Sequence, residues 1–201
     1  MKLISRDEFV RRCGIALQDH DLAVKLDPGS AEAYFSRGQT LYTCAVWGGE
    51  ADARPWYGTA AADFEKAFAL DGRRYMALDM LGMVHQAAGD LDQAIAAYTR
   101  ELALDRLGGM RLAEAYCIRG GVRYRDKKYD AAAEDYEKAI GFDTSGDSCS
   151  CDSFNPLVTL YGGVGRQYGK AWDVVHRARK AGRWLAPEAL EKLKKDSGRG
   201  E

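Results

Sequence analysis

DFEKAFALDG, residues 63–72, decides the fold because the chain repeats it. Three stretches align with it without gaps: DHDLAVKLDP (19–28), AYTRELALDR (97–106) and DYEKAIGFDT (135–144). A fainter copy, VVHRARKAGR, begins at Val174. The four clear copies start 44, 34 and 38 residues apart, and each carries an aspartate (Asp27, Asp71, Asp105 or Asp143) where a helix should end. Within each, apolar residues recur three and four apart with Ala, Glu and Lys between them, as in an amphipathic helix. Self-similarity at such a period marks a repeat array.

Upstream of the copies at 97 and 135 lies a second helical segment with a glycine on its packing face. In one unit Leu78, Leu81, Gly82 and His85 lead through Gly89 to Ala94 and Tyr98. In the next, Tyr116, Arg119, Gly120 and Arg123 lead to Tyr129, Ala132, Tyr136 and Ala139. The glycine-to-alanine interval is 12 residues in both. Antiparallel helices joined by a short turn approach closely where both present Gly or Ala, and larger residues fill the flanks. One such hairpin cannot cover its own apolar face, so it stacks on the next.

An aromatic, then Leu-Gly, Tyr, Ala, a second aromatic and Pro over about 34 residues resembles the tetratricopeptide repeat. The resemblance covers roughly residues 16–183. It implies an all-α fold, a right-handed superhelix (solenoid) of antiparallel helix-turn-helix repeats. The unit built on Tyr34, Gly38, Ala60, Phe64 and Ala67 has an interval of 22 residues, which places a ten-residue insertion between its helices. The N-terminal copy (Ala16, His20, Ala23, Pro28) reads as a second helix whose first helix is short or missing. The expected organisation is a partial repeat helix (1–29), three repeats (30–144, insertion 43–59), a loop (145–156), a divergent fourth hairpin (157–183), and a capping helix with tail (184–201). Arg37, Arg119 and Arg123 stand where apolar residues are commoner, and Glu101 stands where a small one is. Local rotation of the helix would carry Arg100 and Glu101 to the surface. Residues 171–182 (AWDVVHRARKAG) look like those that end many bacterial repeat proteins.

The insertion holds Trp47, Trp56 and Tyr57 with Gly48-Gly49 and Pro55. Either the flanking helices lengthen and the aromatics fold back, or the segment is a partner-binding loop with aromatic anchors. Residues 145–156 (SGDSCSCDSFNP) are polar, and Asn155-Pro156 predicts a helix start as cap and first-turn proline.

Composition restricts the function. With 29 basic and 30 acidic side chains, the net charge of -1 gives the chain no global claim on nucleic acid or anionic membrane. Five cysteines without a regular framework predict thiols in a reducing compartment. Residues 1–12 lack the apolar core of a signal peptide, and no 18-residue apolar run exists for a membrane span. A cytoplasmic protein is expected, or an exported one if a leader has been removed.

No motif assembles an active site. Gly162 to Ala171 (GGVGRQYGKA) lacks the Gly and the Ser/Thr of a phosphate-binding loop, holding Val164 and Ala171 instead. Cys149 and Cys151 lack partners for a tetrahedral metal site, while Cys13, Cys44 and Cys117 read as small core residues. His20 and His85 occupy aromatic slots of the repeat, and His176 lies on an amphipathic basic helix. The chain is therefore expected not to be an enzyme and to need no metal or cofactor.

Partners should be proteins or peptides. The resemblance implies a concave groove along the first helices, faced by Phe35, Gln39 and Tyr42, then Asp79, Met83 and Gln86, then Tyr124 and Arg125. The Lys and Asn set with which some family members clamp a C-terminal carboxylate is unmatched, since Phe35, Gln39, Met80, Glu114 and Ile118 stand there. Trp47, Trp56 and Tyr57 form the alternative contact site. Residues 157–201 carry ten Lys or Arg against five Asp or Glu, which offers a competing reading as a dock for RNA or an acidic partner. The truncated first unit predicts an apolar end that a second copy would cover, giving a homo-oligomer.

Overall fold

The computed structural model describes residues 5–48, 54–104, 108–142 and 152–199. They fold into helices without a strand among the described residues, in two compact units, Met1–Gly108 and Gly109–Glu201. The first unit holds α1 (Arg6–Leu26), α2 (Ala31–Gly48), α3 (Arg54–Leu70), α4 (Met76–Ala88) and α5 (Leu91–Leu104). The second holds α6 (Gly108–Arg125), α7 (Tyr129–Phe142), α8 (Phe154–Thr159), a π-helical turn (Leu160–Val164), α9 (Tyr168–Lys180) and α10 (Pro187–Ser197). In the first unit α2 packs on α3, α3 on α4 and α4 on α5, with α1 against α2.

The recurring aspartates turn the chain. Asp27 Oδ1 accepts from the Gly29 N–H and Asp71 Oδ1 from the Arg73 N–H, both at 3.1 Å. The carbonyls of Asp27 and Asp71 accept from Ser30 and Arg74 N–H, three residues on. The aspartate side chain thus closes an Asx turn that releases the helix into a reversal. Asp105 and Asp143 lie outside the described residues.

The glycines on the first helices admit an aromatic ring from the second. A Cβ at Gly82 would overlap the fully buried Tyr98 ring. Cβ atoms at Gly38 and Gly120 would come within 3.0 Å of Phe64 and Tyr136. Ala60, Ala94 and Ala132, four residues before those rings, are completely buried and complete the close contact.

Seven residues beyond each glycine the three hairpins diverge. α4 stops at Gly89, whose φ of 86° is left-handed, with Asp90 N–H donating to the His85 carbonyl at 2.8 Å. Lys127 takes the same position after α6 with φ 62°, and Lys128 N–H donates to the Arg123 carbonyl at 2.9 Å. After Gly38 the offset falls on Ala45, buried in mid-helix. No residue there favours a left-handed turn, so α2 runs on to Gly48 and α3 begins at Arg54. Both helices lengthen into the insertion, and residues 49–53 lie outside the described ones.

Beyond α7 the structure departs from the sequence reading in two places. Asp152 caps α8 in place of Asn155, its Oδ1 accepting from the Phe154 and Asn155 N–H groups at 3.0 and 3.2 Å. The Asn155 amide, whose Nδ2 also donates to Asp152 Oδ2, holds the linker before α10. Its Oδ1 accepts from Ala186 N–H at 2.7 Å, and its Nδ2 donates to the Trp184 carbonyl. The first helix of the hairpin expected over 157–183 passes after Thr159 into the π-helical turn, which ends at Val164 just before the left-handed Arg166 with φ 49°. Gly162 in that turn seats Leu193 of α10, which is buried with Leu157, Trp172, Val174 and Val175 in the second unit's core.

Candidate partner-binding surface

The register fixed by Gly38 and Gly82 pairs Gln39 with Met83, Tyr42 with Gln86 and Phe35 with Asp79 on the two first helices of the first unit, α2 and α4. Gln39, Tyr42, Asp79, Met83 and Gln86 are all half-buried. Phe35 is not an exposed anchor. It is 6% exposed, packs edge-on to Phe64 at 5.6 Å, and is roofed by the Arg74 guanidinium 5.1 Å above its ring. Arg74 is held there by Glu32 at 2.8 Å, so the ring contributes to the core under α2. Gln86 Oε1 is buried without a hydrogen-bond partner.

The aromatics of the insertion separate. Tyr57 of α3 lies against Tyr42, ring centroids 6.4 Å apart, and Trp56 is half-buried. Trp47, near the end of α2, is 74% exposed. Tyr57 also lines a cavity of about 160 Å³ with Val84, His85 and Asp90. Burial holds His85 below the usual imidazole pKa, against the opposing pull of the Asp90 and Glu65 carboxylates.

In the second unit Tyr124 packs edge-on to Tyr129 at 5.6 Å and is half-buried, while Arg125 beside it is exposed.

The out-of-pattern arginines have a structural role that the sequence reading missed. Arg37 donates two hydrogen bonds to buried Asp63, at 2.8 and 2.7 Å, and a third to Asp21. The Asp63 bonds raise the Arg37 pKa further above its usual value, with burial opposing. Arg119 grips buried Asp135 in the same way at 2.9 and 2.7 Å, and Arg123 adds a contact at 2.9 Å. The signal lay in paired positions. Arginine immediately precedes the glycine in the two hairpins where aspartate immediately precedes the facing aromatic. The hairpin between them puts Leu81 and Ala97 at those places. Glu101 is buried at 5% exposure, so no rotation carries it outward, while Arg100 does reach the surface to pair with Glu65 over the Phe68 ring.

The cysteines correct a second expectation. Cys13 of α1 and Cys44 of α2 form a disulfide, their Cα atoms 6.0 Å apart, and Cys117 is disulfide-bonded as well. The expected reducing compartment rested on free thiols, and the pairing removes that ground. Sequence spacing concealed the bond because Cys13 and Cys44, 31 residues apart, meet only when α1 folds back on α2. Cys149 and Cys151 lie outside the described residues.

The basic C-terminal stretch is partly neutralised where it packs. Arg177 donates to both carboxylate oxygens of Glu137, at 2.8 and 2.9 Å, and also pairs with Asp173. No helix among the described residues is long and apolar enough to cross a membrane.

The tetratricopeptide repeat family model matches residues 77–106 and 113–145, the hairpins α4–α5 and α6–α7. Among solved structures the chain is similar to MamA, at 22% identity and a TM-score of 0.53 over 99% of this chain and 100% of that one. A second MamA structure aligns at 23% identity and a TM-score of 0.51, over 92% of this chain and 85% of that one. YrrB, described as a TPR protein with an unusual peptide-binding site, aligns at 18% identity and a TM-score of 0.50, over 95% of this chain and 81% of that one. At these identities the likeness establishes the fold, an all-α solenoid of helical hairpins. No curated protein matches the chain in sequence.

Proposed function

From the premise that the chain is a tetratricopeptide-repeat protein, we propose that it is an interaction scaffold that holds a peptide or helix of a partner protein on the first helices of its repeats. The observation that carries this reading is the row Gln39–Tyr42 of α2 beside Met83–Gln86 of α4, with Asp79 at one end. These half-buried side chains sit at matched positions on consecutive first helices. Such a row offers an aromatic and a thioether for apolar contact, amides for the backbone of a bound segment, and a carboxylate for its charge. Tyr124 and Arg125 would serve the same role on α6. The peptide-binding site in YrrB's description belongs to that protein and supports the reading by analogy of fold. Phe35 enters only indirectly, as packing beneath the row.

The experiment is a comparative capture from lysate using the wild type and the triple variant Tyr42→Ala/Asp79→Arg/Met83→Ala, with bound chains identified by mass spectrometry. A partner lost with the variant, and whose isolated segment then binds the purified wild type at least about tenfold more tightly than the variant, is the expected result. Equal binding to both proteins sinks the assignment and moves attention to Trp47.

A further inference from the structure

The cavity of about 160 Å³ between α3 and α4 is walled by Tyr57 and Gly58 of α3, by His85 and Ala88 of α4, and by Asp90 beyond the Gly89 turn. The repeat shows where the room comes from. A shift of 44 residues aligns α1 with α3 and α2 with α4, since it takes Asp19 to Asp63 and Gly38 to Gly82. The same shift sets Cys13 against Tyr57, Gly14 against Gly58, Leu41 against His85 and Cys44 against Ala88. In the α1–α2 pair Cys13 and Cys44 are joined and Leu41 is buried. In the α3–α4 pair Ala88 brings only a methyl group to the place of the sulfur bridge, and an imidazole stands where the apolar Leu41 was.

Three polar side chains line this space, the Tyr57 phenol, the His85 imidazole and the Asp90 carboxylate, and none of them makes a hydrogen bond or ion pair with a described residue. Glu65, the other carboxylate whose field reaches His85, is committed to Arg100. Asp90 is therefore the carboxylate left unmatched, and no Lys or Arg lines the cavity to oppose it. Burial keeps His85 below the usual imidazole pKa despite both carboxylates, so at neutral pH it is uncharged and one ring nitrogen accepts. The cavity thus offers acceptors and negative charge without a cation of its own.

We infer that this cavity receives the ammonium group of a lysine side chain on the partner segment, an inference that rests on the row proposed above. Charge complementarity selects the cation, and three acceptor groups match the three N–H donors of an ammonium. The Tyr57 ring adds cation–π attraction, and Val84 and Ala88 give the methylene stem an apolar wall. The cavity also adjoins the row. The Tyr57 ring lies against Tyr42, and His85 directly precedes Gln86, so the lysine would lie at the end of the row opposite Asp79. A segment seated on the Met83 and Tyr42 side chains would in this way be selected by charge as well as by apolar contact.

The probe is lysine blocked at both ends, as its N-acetyl N-methylamide, titrated at pH 7.5 into the isotope-labelled full chain and followed by amide chemical shifts. The expected result is saturable shifts at Gly58, Ala88 and Asp90 with a Kd in roughly the millimolar range, and none with the same compound acetylated at Nζ. Asp90→Asn should weaken binding about fivefold or more, and Tyr57→Phe should weaken it less, since it keeps the ring. Asparagine serves as well as aspartate before a helix, so Asp90→Asn should keep the wild-type melt, which is measured alongside. Absent saturation, equal shifts from the Nζ-acetylated compound, or indifference to Asp90→Asn overturns the proposal. Tighter binding of blocked arginine would assign the cavity to a guanidinium, and spermidine binding about tenfold more tightly than blocked lysine would assign it to a free polyamine. Either result also overturns it. A single blocked residue cannot span the row, so failure here counts against the cavity alone, whereas equal capture by the triple variant counts against the row.

Discussion

Gly82 lies so close beneath the ring of Tyr98 that no side chain fits between them, and Tyr98 is completely buried. Gly82→Ala should therefore cost about 2 kcal/mol, since ring and methyl group must both shift within a packed core. Equilibrium urea unfolding checks this, and the paired change Gly82→Ala/Tyr98→Leu should restore part of the loss. His85 sets a pH dependence. Burial, its leading cause, lowers the folded-state pKa, so the unfolded chain binds the proton more readily. The contribution of His85 is fully present above the unfolded pKa of about 6.5 and is lost as pH falls toward the depressed folded value. The melting temperature of the wild type should accordingly drop more between pH 7.5 and 5.5 than that of His85→Gln. Equal slopes would show that His85 is not the titrating group.

Among the elements, the turn after α6 is the clearest site for improvement. Lys127 stands at φ 62° where α4 has Gly89 at φ 86°. A side chain in the left-handed region costs about 1 kcal/mol, so Lys127→Gly should stabilise the chain by roughly that amount, read as a shift in denaturant midpoint at constant m. α1 presents the opposite case. Cys13 is the only buried residue among its described side chains. Attachment of α1 thus depends heavily on the Cys13–Cys44 bond. With the two cysteines separated by 31 residues in sequence, Cys13→Ser/Cys44→Ser should cost about 3 kcal/mol. In hydrogen exchange the loss of protection should fall first on α1 while α4 and α5 keep theirs. A uniform loss would mean that α1 is held by packing instead.

For the whole molecule, near-neutrality reflects how the charges are used. Arginines that look free in sequence are committed to Asp63, Asp135 and Glu137, each within its own unit's packing. The amino-acid sequence by itself determined the repeat, the paired helices and the glycine–aromatic contacts, because these depend on spacing along one hairpin, and helix periodicity and turn length fix which side chains meet. It also carried the Arg-Gly and Asp-aromatic pairing, legible once the copies are aligned. Other features required the tertiary structure. The disulfide, the burial of Phe35 beneath Arg74 and the Asn155 clamp on the α10 linker all join residues from separate elements. Their distances are set by how helices stack, and stacking depends on the summed packing of many side chains and not on any local pattern.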